Sequence, residues 1–437
     1  MFSHFIEELT WRGLIHDKVE GVHEHLSNQM VTGYIGFDPT AVSLHVGSLL
    51  PIMVLVRFQR AGHKPIVIIG GGTGMIGDPS GKSTERQLLD PNTLEKNVQG
   101  LQKQLAQYLD FENGKNKAEL LNNVDWLGKM SMIEFLRDVG KFFRVNVMLT
   151  KDSVKKRIES ETGISYTEFS YQLLQAYDFE YLYRTKNCTL QMGASDQWGN
   201  ITAGIDYIHY KYGHSAKVFG LTFPLVTKSD GTKFGKSEKG NIWLDATLTT
   251  PYQFYQFWLR LPDDVAPKFL RYYTFLDQST INELQNEHNK APHLRIMQHT
   301  LAEQVTEFVH GKEALKLAQR TTQALFSKNI QEAFAGLSDE EIDLVLSGAD
   351  SVTISKTQLE AGIPVLDAIV MAGLKESKGE ARKLIQGNGF SVNKVKWNQP
   401  NAVLTKSHLL QGKFILLQSG KSDIVVLKVE EGQTPAT

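Results

Sequence analysis

A single cysteine, Cys188, in 437 residues excludes an internal disulfide and any multi-cysteine zinc or iron–sulfur site. That fits a reducing compartment, with Cys188 expected to be a small buried hydrophobe. No stretch approaches eighteen uninterrupted apolar residues, and the opening MFSHFIEELTWRG carries Glu7, Glu8 and Arg12 where a secretion signal needs its apolar run. A soluble cytoplasmic protein with no membrane association is the expectation. Net charge is nearly absent: 47 Lys and Arg face 48 Asp and Glu, giving -1, which argues against a protein that coats nucleic acid over its whole surface. There is no internal repeat and no low-complexity tract. What is present, 41% hydrophobic and 10% aromatic residues, can bury a sizeable core, and the length implies about two to four domains.

Charge becomes informative once it is divided. From Ile363 to Glu430, ten Lys and Arg face five Asp and Glu, so a basic module hangs on an acidic body. In the first half, VTGYIGFD from Val31 reads as a strand, GSLLPIMVLVRFQRAG from Gly47 as a helix ending at Gly62, and KPIVIIGGG from Lys64 as a fully buried strand. Strands alternating with helices imply a parallel sheet covered on both faces. After about Pro251, YQFYQFWLRL, NELQNEHNK and MQHTLAEQVTEFVHGKEALKLAQRTTQALF read as helices. The segment from Ser327 to Lys356 mixes short helical patterns with Gly, Ser and Asp, as a connection would. Beyond it come two short helices, from Ile363 and from Ser377, and then the strand-like FSVNKVKW, KFILLQSG and SDIVVLKVE. The expected organisation is an α/β parallel-sheet domain over 1–225, a lysine-bearing loop and helical domain over 226–325, a linker over 326–356, and a small α+β module over 357–432.

Two loops suggest phosphate binding and mislead. Gly72, Gly74 and Gly77 spell G-x-G-x-x-G after a strand, but Asp78, Pro79, Ser80 and Gly81 continue the loop where a dinucleotide fingerprint opens a helix. The stretch from Gly77 to Ser83 resembles a P-loop with three residues between its glycines where four are needed. A glycine-rich loop at the carboxyl end of a parallel strand is still where such a sheet approaches its ligand.

Three stretches carry the chemistry. DPTAVSLHVGSLL, from Asp38, puts His45, Gly47 and Ser48 at a helix N-terminus, where backbone N–H groups and a bare glycine suit a nucleotide such as ATP. VTKSDGTKFGKSEKGNIWL brings Lys233, Lys236 and Ser237 into a polar loop bent by Gly231 and Gly235, able to neutralise phosphate charge. In YTEFSYQLLQAYDFEYL, Tyr171, Gln175 and Asp178 fall on one helical face among apolar neighbours, as in a pocket for a small polar ligand. Each stretch alone also fits a bland alternative: a helix entry, a solvated basic loop, and an internally satisfied polar cluster.

Together, HVGS, KFGKS, YQLLQAYDF, QMGASDQWGN and GYIGFDPTA resemble the bacterial tyrosyl-tRNA synthetases, a family of class I aminoacyl-tRNA synthetases, with HVGS and KFGKS as variants of the family's HIGH and KMSKS motifs. The likeness covers essentially the whole chain, and the basic module looks like a ribosomal protein S-four type RNA-binding domain. It implies a Rossmann-like catalytic domain that forms tyrosyl-adenylate from tyrosine and ATP, then charges tRNA. ATP is implied as substrate, Mg2+ as its counter-ion, with no protein-held metal and no tightly bound cofactor. By resemblance, Thr40, His45, Lys233, Lys236 and Ser237 act on the phosphates, and Asp38, Gly47, Ser48, Gly193 and Asp196 line the nucleotide site. Tyr34 and Asp178 would hold the phenol, Asp78, Tyr171 and Gln175 the ammonium group, and Gln197 would lie near the carboxylate. Lys151, Lys155 and Arg157 on one short helix, with Lys378, Arg382 and Lys383 in the module, would meet tRNA phosphates. A homodimer is implied, with its interface along DWLGKMSMIEFLRDVGKFF from Asp125. Two departures stand out: Ser48 replaces the motif's second His, and Phe234-Gly235 replaces Met-Ser. The competing readings are a tryptophan-specific relative, a non-catalytic RNA-binding pseudo-synthetase and, on the three glycines alone, a nicotinamide-dependent oxidoreductase.

Overall fold

The apolar runs of the first half become the middle of a six-stranded sheet: β1 (Asp17–Lys18), β2 (Thr32–Phe37), β3 (Lys64–Ile69), β4 (Glu119–Asn122), β5 (Cys188–Ala194) and β6 (Phe219–Phe223), in the order β1-β6-β5-β2-β3-β4. All neighbours are parallel except the short edge strand β1, which runs antiparallel to β6. Five consecutive residues of β3, Pro65 to Ile69, are buried, as a parallel strand covered on both faces requires. The chain passes from β2 to β3 on one side and returns through β5 on the other. The strand order therefore reverses between β2 and β5, and the crevice beyond their carboxyl ends is where such a sheet takes a ligand. Asp38 follows β2 directly, Gly70 to Asp78 follow β3, and Ser195 to Gln197 follow β5.

The computed structural model describes residues 5–80, 88–161, 163–226, 234–237, 240–327, 329–335, 337–420 and 423–430. It divides into two compact units, Met1–Asp245 with Asp263–Met297, and Ala246–Pro262 with Gln298–Thr437. Among the described residues, no helix is long and apolar enough to cross a membrane.

The division differs from the boundary expected at 225/226 in that 226–245 and 263–297 both fall in the first unit, the latter tied to it by two buried arginines. The last carbonyls of a helix lack intrahelical partners. Around the end of helix Ala266–Tyr273, Arg12 donates to the carbonyls of Arg271, Thr274 and Leu276, and Arg57 to those of Tyr272 and Thr274. Glu8 pairs with both guanidinium groups. Burial, helped by the adjacent Arg12 charge, lowers the Arg57 guanidinium to about 9, so it stays charged at neutral pH.

In the second unit, the stretch expected as a linker is folded. Asn329 caps helix Ile330–Phe334, and a capping box formed by Ser338 and Glu341 starts helix Asp339–Ser347. Strand Ser351–Ser355 then pairs in parallel with Asp423–Glu430 and forms one edge of the module's five-stranded sheet. Ile354 joins the module core with Val365, Ile369, Ile385, Phe390, Leu417 and Val425. Two runs are broken where the backbone turns left-handed: FSVNKVKW at Asn393 and Lys394, which make a hairpin, and the long helical run at Gly311.

Candidate active site

The loop after β3 fits around the loop after β2. A Cβ on Gly70 would lie 2.1 Å from Asp38 Oδ1, and one on Gly71 would lie 2.3 Å from Asn122 Oδ1. The N–H groups of Gly71 and Gly72 donate to the side chains of Asn122 and Asn123 at 3.1 and 2.7 Å. The glycine run makes room for these side chains, and two of its amides are engaged by them, which removes the geometric basis for a dinucleotide fingerprint.

One hydrogen-bond network crosses the crevice. Asp38 accepts from Tyr171 Oη at 2.9 Å and from Thr73 Oγ1 at 2.8 Å. Asn123 Nδ2 donates to Thr73 Oγ1 at 3.0 Å and to Asp178 Oδ2 at 2.9 Å, while Trp126 Nε1 donates to Asp178 Oδ1 at 2.7 Å. Asp178 is buried, and burial pushes its carboxyl up to about 7. The donors Asn123 and Trp126 pull it down and the Asp38 charge pushes it up. Tyr34, also buried, has a hydroxyl with no hydrogen-bond partner. Burial first, then the charges of Asp178 and Cys188, raises that hydroxyl well above its usual range, so it is a neutral donor.

A second polar cluster adjoins the first. Asp78 accepts from Gln197 Nε2 at 2.7 Å, from the Ser80 N–H at 2.9 Å and from Asn200 Nδ2 at 3.4 Å. Gln175 accepts from Asn200 at 3.0 Å and donates to Gln197 at 3.3 Å. Gly193, buried at the end of β5, lies where a Cβ would meet that of Gln197 at 2.9 Å. Tyr171, Gln175 and Asp178 share helix Tyr166–Lys186, started by the Ser165 cap. The polar stripe predicted from their spacing is the wall that carries both clusters.

The HVGS and KFGKS segments meet at a turn. His45 Nδ1 accepts from the Gly47 N–H at 2.9 Å, which puts the proton of the neutral ring on Nε2. A Cβ on Gly47 would lie 2.6 Å from His45 Cε1, so this glycine is what lets the imidazole fold back. Ile242 bridges the motifs, its N–H donating to the Gly235 carbonyl and its carbonyl accepting from Val46 N–H, both at 2.9 Å. Gly235 has a φ of 97°, and Phe234 is buried against the rings of Phe269 and Tyr273, at 4.7 and 6.2 Å. Ser48 precedes helix Leu49–Arg60 without a side-chain cap bond, Thr40 is exposed, and Asp196 is half-buried in the turn Ser195–Gln197. Lys233 lies outside the described residues. Lys236 and Ser237 are described by their backbone alone, paired with Gly240–Asn241.

The basic helix differs from expectation. Arg157 is fully buried and makes a two-pronged pair with Glu168, at 2.8 and 3.0 Å, so its guanidinium does not face solvent phosphates. Lys151 donates to Thr202 Oγ1 at 3.1 Å, whereas Lys155 is exposed. In the module Lys378 is exposed and paired with Asp367, and Arg382 and Lys383 are exposed. The segment expected to form an interface is partly core: Trp126 stacks on Tyr181 at 4.4 Å, and Phe135, Phe142 and Phe143 pack inward, while Met132 and Ile133 are 73% and 71% exposed.

Asn123, Trp126, Thr73 and Asn200 escaped the sequence reading. The available signal was the Asn122-Asn123 pair at the carboxyl end of β4. Trp126 was hidden inside a segment read as apolar interface.

The family model "tRNA synthetases class I (W and Y)" matches residues 26–327, and "Tyrosine--tRNA ligase SYY-like C-terminal domain" matches 341–427. A tyrosine–tRNA ligase of Flavobacterium psychrophilum is 49% identical over 98% of this chain and 100% of its own length. One from Bacteroides fragilis is 49% identical over 97% of this chain and 99% of its own. The solved structure of a C-terminally truncated mitochondrial tyrosyl-tRNA synthetase of Aspergillus nidulans superposes with a TM-score of 0.67 at 33% identity, covering 74% of this chain and 94% of that one. The chain belongs to the class I tRNA synthetases, in the family of the tyrosine–tRNA ligases.

Proposed function

We propose that the chain activates L-tyrosine with ATP and then transfers it to the 3'-terminal adenosine of its tRNA. The observation that carries the reading is a buried Tyr34 hydroxyl with no hydrogen-bond partner, close enough to the buried Asp178 carboxyl to feel its charge. A phenol is both donor and acceptor: its O–H donates to Asp178 while its oxygen accepts from Tyr34. Phenylalanine leaves both groups desolvated and unpaired. The second cluster supplies Asp78 and the Gln175 carbonyl for the substrate ammonium, together with Tyr171, and Gln197 lies beside them for the carboxylate.

That carboxylate is ionised at neutral pH and needs no strong base. Its oxygen bonds to the α-phosphorus, the bond to the β-phosphate bridge breaks, and pyrophosphate leaves with the electron pair. Rate enhancement comes from alignment and from charge stabilisation on the leaving group. The His45 Nε2–H, Thr40, Lys233, Lys236 and Ser237 serve the phosphates, and Asp38, Gly47, Ser48, Gly193 and Asp196 line the nucleotide side. Mg2+ would enter with ATP. A terminal ribose hydroxyl of tRNA then attacks the tyrosyl carbonyl and AMP leaves. Lys155, Arg382 and Lys383 are the exposed cations assigned to tRNA, and exposed Met132, Ile133 and Val145 suit a homodimer contact. The reaction belongs in the cytoplasm, with its tRNA. Exchange of labelled pyrophosphate into ATP, run separately with tyrosine, phenylalanine and tryptophan without tRNA, is the test. Tyrosine-only exchange is expected. Exchange with tryptophan would mean the phenol site is misassigned, and no exchange from folded protein would favour an RNA-binding pseudo-synthetase.

A further inference from the structure

The charged run KKR of helix Asp152–Ile158 splits between two environments. Lys155 and Lys156 are exposed, whereas Arg157 is fully buried. The Arg157 guanidinium grips both oxygens of Glu168, at 2.8 and 3.0 Å, and donates to Ser160 Oγ at 2.6 Å. Ser160 Oγ returns to the Arg157 carbonyl at 2.6 Å, closing the end of the short helix onto its own anchor. Glu168 lies three residues before Tyr171 on the helix that walls the amino-acid site, and Lys151, just before the basic helix, is tied to Thr202 on helix Trp198–Tyr212, two residues beyond Asn200. A seven-residue helix is too short to hold its shape alone.

We infer that Arg157 is a positioning residue, not a phosphate ligand, and that its pair with Glu168 holds this helix so that Lys155 and Lys156 present a two-cation surface to tRNA phosphates. The inference rests on the tRNA-charging function proposed above. A phosphate could reach Arg157 only by displacing a desolvated carboxylate, and breaking such a pair strands a buried charge. The fork geometry also matters, because lysine carries the charge without making two parallel bonds.

The test is tRNA charging against pyrophosphate exchange in the same preparations, as a function of salt. Removing both exposed lysines (Lys155→Ala with Lys156→Ala) is expected to make log(kcat/KM) for tRNA shallower against log salt by about 2, one for each phosphate no longer neutralised. Arg157→Lys and Glu168→Gln are each expected to reproduce that loss, although neither removes an exposed cation. General unfolding lowers charging and exchange together and leaves their ratio unchanged, so the ratio separates it from a displaced helix. If Arg157→Lys charges normally and Glu168→Gln is normal or tighter for tRNA, Arg157 is no anchor and the inference fails while the charging function stands. An unchanged salt slope in the double-lysine variant would remove this helix from the tRNA surface altogether. Tyrosine-dependent exchange with no charging by the unaltered protein would refute the charging function itself.

Discussion

Replacing Asp178 with asparagine tests the phenol site most directly. The carboxylate already accepts from Trp126 at 2.7 Å and from Asn123 at 2.9 Å, and the substrate hydroxyl would be a third donor. An amide oxygen has two lone pairs, and its NH2 would face one of the resident donors. Asn123 cannot simply turn to accommodate it, because its own carbonyl is held by the Gly72 N–H at 2.7 Å. The variant therefore loses a charge-assisted hydrogen bond worth about 1.5–3 kcal/mol, or about 10- to 150-fold in kcat/KM for tyrosine. Phenylalanine, which never made that bond, should change by less than about threefold, so the tyrosine-to-phenylalanine ratio collapses. A second signature is pH. The free enzyme's carboxyl, raised to about 7, must be ionised to accept the phenol, so kcat/KM for tyrosine should fall as pH drops through about 7 in the native protein. That acid limb should be absent in Asp178→Asn. Pyrophosphate exchange over pH 5.5–9 (about 0.5-unit steps suffice to place a single titration) reads both. Equal losses for tyrosine and phenylalanine, or an acid limb that persists in the variant, would refute the assignment.

Three further outcomes are expected. Trp126→Phe keeps an aromatic ring against Tyr181 but deletes one donor to Asp178, so the acid limb should move up by about one pH unit, the worth of one such bond; a stationary limb in the exchange profile would count against the pairing. Gly47→Ala places a methyl 2.6 Å from the His45 ring and should lower kcat for exchange by about a hundredfold with little change in tyrosine KM, since it displaces the imidazole proposed above to donate to the phosphates; steady-state exchange kinetics decide it. Finally, a folded-state carboxyl raised to about 7 binds its proton more tightly than the unfolded chain does. The ligand-free protein should therefore lose stability as pH rises from the ordinary carboxylate range through about 7. Calorimetry with and without saturating tyrosine should show that loss shrink in the complex, because the phenol stabilises the ionised form.

The parallel sheet was legible from two of its four inner strands and the helix between them: β2, the helix from Leu49 and β3 lie where VTGYIGFD, GSLLPIMVLVRFQRAG and KPIVIIGGG put them, whereas β5, with Thr189 and Gln191 inside CTLQMGA, and the short β6 escaped. The shared face of Tyr171, Gln175 and Asp178 was legible because helical spacing is local. What escaped depended on pairings between residues far apart in sequence. Nothing near Arg157 announces that Glu168 will bury it. Nothing near Ala266 announces that Arg12 and Arg57 will claim that helix's carbonyls and tie it to the first unit. The linker was misjudged for a different reason: Gly, Ser and Asp there serve as caps and turns of real elements, and composition alone does not separate a capped short helix from a connection.

The two departures from the family's motifs look different once the backbone is in view. What registers the lysine-bearing segment against the histidine turn is main chain: Ile242 joins Gly235 to Val46 through one N–H and one carbonyl. Side-chain identity at position 234 enters only as a plug, and a phenylalanine ring between Phe269 and Tyr273 fills that role as a large apolar residue should. Gly235 does more than omit a hydroxyl. At a φ of 97°, with a Cβ direction aimed 3.1 Å from the Gly47 nitrogen, the position penalises any side chain on both conformational and steric grounds. Gly47 and Gly235 thus act as a pair, each bare so that the other's segment can approach, and the imidazole of His45 occupies the space gained. Ser48 sits one residue beyond that approach with no cap bond of its own. The turn's geometry is therefore set by His45, Gly47 and Gly235, and it does not require a second histidine.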